Sequence, residues 1–219
     1  MLLIIKKETK VAKVVTFANV KGGSGKSTLC INMAAILVRA GYSVAIIDAD
    51  QQKCSQDWIT GTKDKLLSRV EIIEPVELKV AEDVEVDFLL IDTQGSLTKE
   101  MAQFLFQSSL IITPCRASRD DIVGQGWIEV FLKQSNQNIK KAPILTVLNG
   151  VNKRSSILSH VIEQLKEDGV QVAETCISQR VCFAETNVNK ISVIGYNKHA
   201  TKEIVDLTNE ALNLIKSEV

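Results

Sequence analysis

The 219 residues of this chain predict a single α/β domain in which a mostly parallel sheet carries helices on both faces. Apolar segments of strand length alternate along the chain with longer segments of helical periodicity. A glycine-rich turn joins the first strand to the first helix, and no linker rich in proline, serine or glycine divides the chain. We therefore expect residues 13–219 to form one domain, and residues 1–12 to be a leader or an added edge segment.

The elements follow from these patterns in order. The first strand is predicted over residues 13–18, and the helix after the glycine-rich turn over 26–39, where Gly41 supplies a C-terminal cap. Residues 43–48 form a second strand that is apolar on both faces, as in the middle of a parallel sheet, and a short helix follows it. The later strands are predicted at 70–73, 86–92, 110–113, 144–148 and 170–177. The later helices are predicted at 99–107, 121–134, 155–167 and 201–216.

The turn after the first strand has the composition of a phosphate-binding loop, or P-loop. Its residues are Lys21, Gly22, Gly23, Ser24, Gly25, Lys26, Ser27 and Thr28. Glycines let the backbone fold tightly and aim its N–H groups at a phosphate, and the following helix adds the positive end of its dipole. Lys26 is expected to reach the β- and γ-phosphates of a nucleotide, and the Ser27 hydroxyl is expected to bind Mg²⁺. The whole octet therefore predicts nucleotide binding.

Acidic residues end two of the predicted strands. Asp92 follows the apolar segment 88–91, which is the Walker B pattern, and a carboxylate in that place can hold Mg²⁺. Asp48 ends the second strand, and Asp50 comes two residues after it. Because ligands bind at the carboxyl ends of parallel strands, we expect all three acids beside the P-loop. Asn149 follows a later strand, where its amide either hydrogen-bonds the adenine or simply caps the strand.

The P-loop departs from the standard sequence G-x-x-x-x-G-K-[ST]. Val20 stands where the first glycine is expected, and Lys21 opens the loop instead. K-G-G-x-G-K-[ST] is the deviant form of the ParA/MinD family of P-loop ATPases, and the chain resembles that family from residue 14 to about residue 212. The resemblance is strongest to the small, plasmid-type partition ATPases, such as ParF. It rests on residues 21–28, 48–52, 57–58, 87–96, 111–114 and 177–180.

The resemblance implies roles for the acids and for the extra lysine. Asp50 would position or deprotonate the attacking water, and Asp48 would help to organise the Mg²⁺ shell. Lys21 would reach the phosphates bound by a second subunit, so that two chains enclose two ATP molecules. Judged from the residues alone, a surface lysine and an acidic turn are the alternatives. Gln51 stands where the family's D-x-D-P-Q motif has proline, so this loop lacks the rigidity of that proline.

The resemblance also implies a DNA interface. Larger relatives begin with a helix-turn-helix domain, but about a dozen residues precede the first strand here, so we expect sequence-independent binding through phosphates. Arg180 matches a family arginine that resembles a DNA contact. Lys190, Lys198 and Lys202 lie nearby in the sequence, with acidic residues among them.

Composition argues against several other classes of protein. The formal net charge of +0 argues against a constitutive nucleic-acid coat protein, although basic residues dominate 133–166 and acidic residues dominate 71–100. The 5 cysteines contain no C-x-x-C pair and the 2 histidines are isolated, which disfavours an iron–sulfur cluster or a histidine metal site. We expect reduced, mostly buried thiols. No apolar run approaches the roughly 20 residues of a membrane span.

These observations together predict a ParA-type ATPase for plasmid or chromosome partition, cytoplasmic and associated with the nucleoid. ATP and Mg²⁺ would close a homodimer that binds nonspecific DNA, and a ParB-like centromere-binding protein would stimulate its slow hydrolysis. No membrane association is expected. Two alternatives stay open. A MinD-like positioning ATPase would need a basic amphipathic helix at the C-terminus, and a metabolic P-loop relative, such as a synthetase, would need its own substrate motif.

Overall fold

A central sheet organises the computed structural model, which describes residues 11–75, 84–96, 98–118, 126–128, 130–132 and 142–217. Its strands are β1 (Lys13–Phe17), β2 (Val44–Asp48), β3 (Glu71–Ile73), β4 (Phe88–Asp92), β5 (Leu110–Cys115), β6 (Ile144–Val151) and β7 (Ile177–Ser178). Its helices are α1 (Lys26–Arg39), α2 (Cys54–Thr60), α3 (Lys99–Gln107), α4 (Ser156–Glu167), α5 (Val181–Val188) and α6 (Lys198–Ser217), with a 3₁₀ turn at Leu67–Arg69.

The strand order places the P-loop at the centre of the sheet. Seven described strands follow the order β3-β2-β4-β1-β5-β6-β7, and every pair of neighbours is parallel. The last residue of β1, Phe17, is in register with Asp92 of β4, which is in register with Asp48 of β2. The residues that follow β1, β2 and β4 are therefore neighbours at one edge of the sheet, where parallel sheets bind ligands.

Both faces of the sheet are covered, as the unbroken apolar strands predict. Successive side chains of β1 enter different layers: Phe17 packs in the cluster that contains α1 and α6, whereas Val14 packs with Phe104 of α3. Helix α1 is buried over most of its surface because it lies between the sheet and α6. The predicted fold class, a single α/β domain with a parallel sheet and helices on both faces, is confirmed.

The C-terminal helix α6 begins three residues earlier than the 201–216 prediction. The Asn197 side chain accepts hydrogen bonds from the backbone N–H groups of His199 (3.1 Å) and Ala200 (3.0 Å), so it caps the first turn. The apolar face of α6 is buried in the core, as at Leu207 and Ala211, which are at most 2% exposed. That face therefore contributes to folding.

The predicted strand at 170–177 is wrong over most of its length. Only Ile177 and Ser178 form β7, and Val172 makes an isolated bridge to β6. The backbone N–H groups of Glu174 and Thr175 donate to the carboxylate of Glu210 on α6, at 2.9 Å each, instead of to a strand. Hydrogen bonds to a side chain far away in the sequence thus replace the strand-to-strand hydrogen bonds that the apolar pattern predicts.

Three further expectations differ from the structure or lie outside it. Helix α5 was not predicted, because Val181 and Val188 expose 74% and 80% of their surface and leave little amphipathic pattern. Of the helix predicted at 121–134, only 126–128 and 130–132 are described, and they are helical. Residues 1–10 lie outside the described residues, so the assignment of 1–12 stays a prediction. No helix in the described parts of the chain has the length and hydropathy needed to cross a bilayer.

Candidate nucleotide-binding and metal site

The P-loop has a backbone conformation that glycine alone adopts without strain. Gly23 has a φ of +72° and Gly25 a φ of +97°, both in the left-handed region. A Cβ atom on Gly25 would lie 2.1 Å from Nδ2 of Asn149, which donates a 2.7 Å hydrogen bond to the Ser24 carbonyl oxygen. Asn149 of β6 therefore holds the loop directly, a structural role that the sequence did not indicate. Its contact with adenine stays a prediction.

Two more residues press against the loop from neighbouring strands. A Cβ atom on Gly95, in the loop after β4, would come within 2.9 Å of the Gly22 backbone nitrogen, so only glycine permits this approach. The Arg116 guanidinium, just after β5, donates from Nη2 to the Gly23 carbonyl oxygen at 3.2 Å. The loop is thus held in its shape from several sides before any nucleotide binds.

The deviant lysine, Lys21, is fixed through its backbone. Its N–H group donates to Oδ1 of Asn19 at 2.9 Å, and the Asn19 amide donates to the Pro114 carbonyl oxygen of β5 at 2.6 Å. The Lys21 carbonyl oxygen accepts a 3.3 Å hydrogen bond from Nζ of Lys26. Within the described residues, the Lys21 ammonium group itself has no hydrogen bond or ion pair. The front of the loop therefore holds a cation without an internal partner.

Lys26 is the cation inside the loop. Only 6% of its surface is exposed. Burial lowers the pKa of its ammonium group from 10.5, although the negative charges of Asp92 and Asp50 oppose that change. Since a buried ammonium needs an anionic partner, its position favours the phosphate groups that the sequence predicts for it.

Asp92 is the most unusual carboxylate of the site. It is 1% exposed, and burial raises its pKa to about 6, although hydrogen bonds from Ser27 and Ser55 oppose the rise. Its Oδ2 atom accepts a 2.5 Å hydrogen bond from the Ser55 hydroxyl, whereas its Oδ1 atom is buried with no partner among the described residues. A carboxylate oxygen in that condition is suited to a cation or to a water bound to one.

The loop after β2 is ordered by its own side chains. The carboxylate of Asp48 accepts hydrogen bonds from the backbone N–H groups of Asp50 (3.0 Å) and Gln56 (2.9 Å). The Lys53 ammonium donates to the Asp48 carbonyl oxygen at 2.7 Å. These contacts supply the order that proline gives in the related motif, where this chain has Gln51. Asp48 thereby anchors the segment that carries Asp50.

The residues present fit Mg²⁺ with oxygen ligands. The Ser27 hydroxyl is close enough to Asp92 to lower its pKa, and Oδ1 of Asp92 has no partner among the described residues. Both Asp48 oxygens already accept backbone N–H groups, so a role for Asp48 toward the metal would be indirect. No cluster of three or more histidine, cysteine or acidic side chains suited to a metal occurs in the described residues. Nucleotide oxygens and water would have to complete the shell.

The basic residues predicted to bind DNA are not gathered into one free patch. Arg180 pairs with Glu203 at 3.1 Å, Lys190 with Asp57 at 2.9 Å and Lys202 with Asp206 at 2.5 Å. Lys198 is exposed at the start of α6. Their DNA contacts stay a prediction.

Glu203 links the C-terminal helix to the ends of β6 and β7. Its Oε1 atom accepts hydrogen bonds from Lys153 (2.8 Å), Arg180 (3.1 Å) and the Ser178 hydroxyl (2.6 Å). Although burial opposes it, these hydrogen bonds lower the pKa of Glu203 to about 2. A pocket of about 590 Å³ opens beside this cluster and is lined by Lys153, Arg154, Ser178 and Arg180, among others.

Sequence reasoning missed three residues of the site: Asn19, Ser55 and Arg116. Asn19 directly follows a predicted strand and is polar, so the strand-end rule that found Asp92 would also have found it. Arg116 follows β5, which ends two residues later than the predicted strand. Ser55 lies inside a short helix and carries no such signal. Its contact is visible only in the folded structure, where the Ser55 hydroxyl meets Asp92 at the end of β4.

Comparison with known proteins identifies a nucleotide-binding domain in this chain. The model of the CobQ/CobB/MinD/ParA nucleotide-binding domain matches residues 15–193. The maintenance of carboxysome distribution protein A of Halothiobacillus neapolitanus is 26% identical over 211 residues, covering 92% of this chain and 97% of the relative. The protein ParA of Rhizobium radiobacter is 22% identical over 197 residues, covering 86% of each chain.

Solved structures share the fold. A plasmid partition protein of Borrelia burgdorferi B31, in complex with AMPPNP, superposes with a TM-score of 0.74 at 20% identity over 95% of this chain and 100% of that one. The cell division ATPase MinD of Pyrococcus furiosus gives a TM-score of 0.70 at 17% identity over 93% of this chain and 99% of that one. The deviant loop, the Walker B aspartate and the extent of the matched region agree: this chain belongs to the CobQ/CobB/MinD/ParA family of nucleotide-binding domains.

Proposed function

We propose that this chain is a ParA-type partition ATPase, which binds ATP with Mg²⁺, closes into a homodimer and then binds DNA without sequence preference. The observation that carries the proposal is the state of Lys21. Its backbone is fixed by Asn19, yet its ammonium group has no partner within the described residues. A fixed cation at the front of a phosphate loop is suited to the phosphates of a nucleotide held by a second copy of the chain.

The nucleotide would bind across the carboxyl ends of the central strands. Backbone N–H groups of residues 22–28 and the Lys26 ammonium would hold the phosphates. Nδ2 of Asn149 is used by the loop, but no described residue donates to its Oδ1 atom, which leaves that atom to accept from the adenine amino group. Val151, two residues after Asn149 in the sequence, lines the pocket at the ends of β6 and β7.

Hydrolysis would depend on Asp92, Asp50 and Lys26. Ser27 and Asp92 would hold Mg²⁺, which would supply positive charge beside the phosphate groups. Asp50 would orient or deprotonate the attacking water from the loop that Asp48 anchors. Lys26 would stabilise the charge on the phosphate oxygens.

The remaining steps follow from the dimer. In the closed dimer, Arg180, Lys190, Lys198 and Lys202 of both chains would contact DNA phosphates. A ParB-like centromere-binding protein would stimulate hydrolysis and release the dimer. The protein would work in the cytoplasm, on the nucleoid.

The membrane-binding alternative is not favoured, because the apolar face of α6 that it would need is packed in the core.

The test is the mass of the protein in solution, measured by light scattering with Mg²⁺ and a non-hydrolysable ATP analogue. Wild-type protein should double its mass, and Lys21→Ala should stay monomeric while it still binds the nucleotide, since its own loop is intact. Asp50→Ala should stay dimeric in ATP itself, because it cannot complete hydrolysis. Lys13→Ala is the matched control, because Lys13 lies at the opposite end of β1.

A second measurement tests the DNA step. The dimer should bind unrelated DNA duplexes equally, and binding should weaken steeply as salt rises, because phosphate contacts release counterions. A wild-type protein that stays monomeric, or a Lys21→Ala variant that dimerises like the wild type, would contradict the proposal. ATP-dependent sedimentation with liposomes in place of DNA would favour the membrane alternative.

A further inference from the structure

The Ser55 hydroxyl and the Asp92 carboxylate form a buried pair between α2 and β4. Ser55 is 0% exposed and Asp92 is 1% exposed. The hydroxyl donates to Oδ2 of Asp92 over 2.5 Å, which is at the short end for a hydroxyl–carboxylate contact. The two residues are 37 positions apart, so folding alone brings them together.

The pair leaves the carboxylate in one defined orientation. With Oδ2 held by Ser55, the plane of the carboxylate is fixed, and Oδ1 is the oxygen without a partner in the described structure. Asp48 lies in register with Asp92 on the neighbouring strand, and its negative charge would otherwise favour turning the carboxylate away. The hydroxyl therefore selects which oxygen is left for a ligand.

The Ser27 hydroxyl also lowers the pKa of Asp92, but that hydroxyl is expected to bind the metal. No such second task is predicted for Ser55, which lies in α2 and outside the P-loop. The start of α2 is in turn fixed by the Gln56 N–H group, which donates to Asp48 over 2.9 Å. The segment that carries Asp50 thus also carries the hydroxyl that orients Asp92.

We propose that Ser55 is a positioning residue for Mg²⁺: it orients the Asp92 carboxylate so that Oδ1 faces the metal, without itself touching metal or nucleotide. The inference rests on the proposed function, since it requires that Asp92 serves the metal of a bound nucleotide. Groups that orient a metal ligand in this way typically change metal affinity by about 10–100-fold when they are removed.

The experiment is a Mg²⁺ titration of nucleotide binding, followed through a fluorescent ADP analogue with no turnover. Ser55→Ala should raise the Mg²⁺ concentration that gives half of the Mg²⁺-dependent gain in affinity by about tenfold. Binding of the analogue in EDTA should stay within about twofold of wild type, because the P-loop contacts are unchanged. Ser55→Thr, which keeps the hydroxyl, should bring the midpoint back towards wild type.

Ser192→Ala is the matched control. Ser192 is also a buried serine whose hydroxyl donates to an aspartate, Oδ2 of Asp64, over 2.6 Å, but it lies outside the site. It should lower thermal stability and leave the Mg²⁺ midpoint unchanged. If Ser55→Ala does not fold, as judged by circular dichroism, Ser55→Cys replaces it, because a thiol is a poor donor in the same space.

The outcomes separate this inference from the proposed function. If Mg²⁺ strengthens binding to the wild type and the Ser55 variants titrate like it, the positioning role is wrong and the nucleotide site stands. If Ser55→Ala weakens binding equally with Mg²⁺ and in EDTA, Ser55 has only a structural role. If wild-type protein binds no nucleotide, the proposed function itself fails.

Discussion

Two buried carboxylates in this molecule have opposite surroundings. Asp92, at the end of β4, has one oxygen without a partner in the described residues, and burial raises its pKa to about 6. Glu203, on α6, accepts from Lys153, Arg180 and Ser178, and although burial opposes them, these hydrogen bonds lower its pKa to about 2. Both side chains are nearly inaccessible to water.

The difference separates a site that awaits a ligand from one that completes the fold. Glu203 is neutralised by the chain's own cations, so it stabilises the attachment of α6 to β6 and β7. Asp92 has hydroxyl groups, a second acid and the Lys26 ammonium around it, and burial still raises its pKa, so its charge costs free energy until a metal cation arrives. A buried polar atom left without a partner is therefore the stronger sign of function.

The largest expected effect is a loss of nucleotide affinity, caused by a change beside Asp92 in the nucleotide-binding site. Lys26→Ala should abolish nucleotide binding, a loss of at least about 100-fold, because it removes the buried cation that faces the phosphates. Calorimetric titration with ADP and Mg²⁺ measures it. Lys166→Ala, on the exposed side of α4, is the control and should bind like the wild type. Binding by Lys26→Ala at wild-type strength would break the assignment of this region as the ligand site.

In the Glu203 cluster, Glu203→Gln should lower the free energy of unfolding by about 2 kcal/mol, because Lys153 and Arg180 lose their anionic partner. The pKa of Glu203 is lower in the folded protein than its ordinary value of 4.5, so its stabilisation is fully present above pH 4.5 and is lost as the pH falls towards 2. Urea unfolding at pH 7 and near pH 4 should show the difference between variant and wild type shrinking. A constant difference would argue that packing, not charge, is lost.

The smallest effect has the opposite sign. Asp92→Asn should raise the stability of the nucleotide-free protein by about 1–2 kcal/mol at pH 7.5, because it removes a charge whose burial is unfavourable. The pKa of Asp92 is above its ordinary 3.8, so the gain should fade as the pH falls through about 6. Urea unfolding in EDTA measures it. With Mg²⁺ and nucleotide the gain should disappear, and a destabilised variant in EDTA would contradict the comparison.

Most of the fold could be predicted because its signals are local. The strand at residues 88–92 and the helix at residues 99–107 are defined by unbroken apolar runs and by helical periodicity. The strand predicted at 170–177 failed because Glu210, some 35 residues away, takes the backbone donors that a ladder would use. Helix α5 was missed because its exposed valines hide its pattern.

The site divides in the same way. The P-loop, Asp48, Asp50 and Asp92 are recognisable because their residue types follow strands directly. The hydrogen bond from Asn149 to the loop, the contact of Arg116 with Gly23 and the pairing of Ser55 with Asp92 involve residues 125, 93 and 37 positions apart. No short window of sequence contains both partners of such a contact.

The sequence alone therefore determined the fold class, the phosphate loop and the acids near it, because glycine, strand and helix preferences act over a few residues. The tertiary structure decided which polar atoms are satisfied and which are not. It gave Glu203 three hydrogen-bond donors and left Oδ1 of Asp92 without one. It also fixed the backbone of Lys21 while its ammonium group has no partner. Both absences hold for the described residues. Those outcomes depend on which strands become neighbours, and that is settled only when the whole core packs.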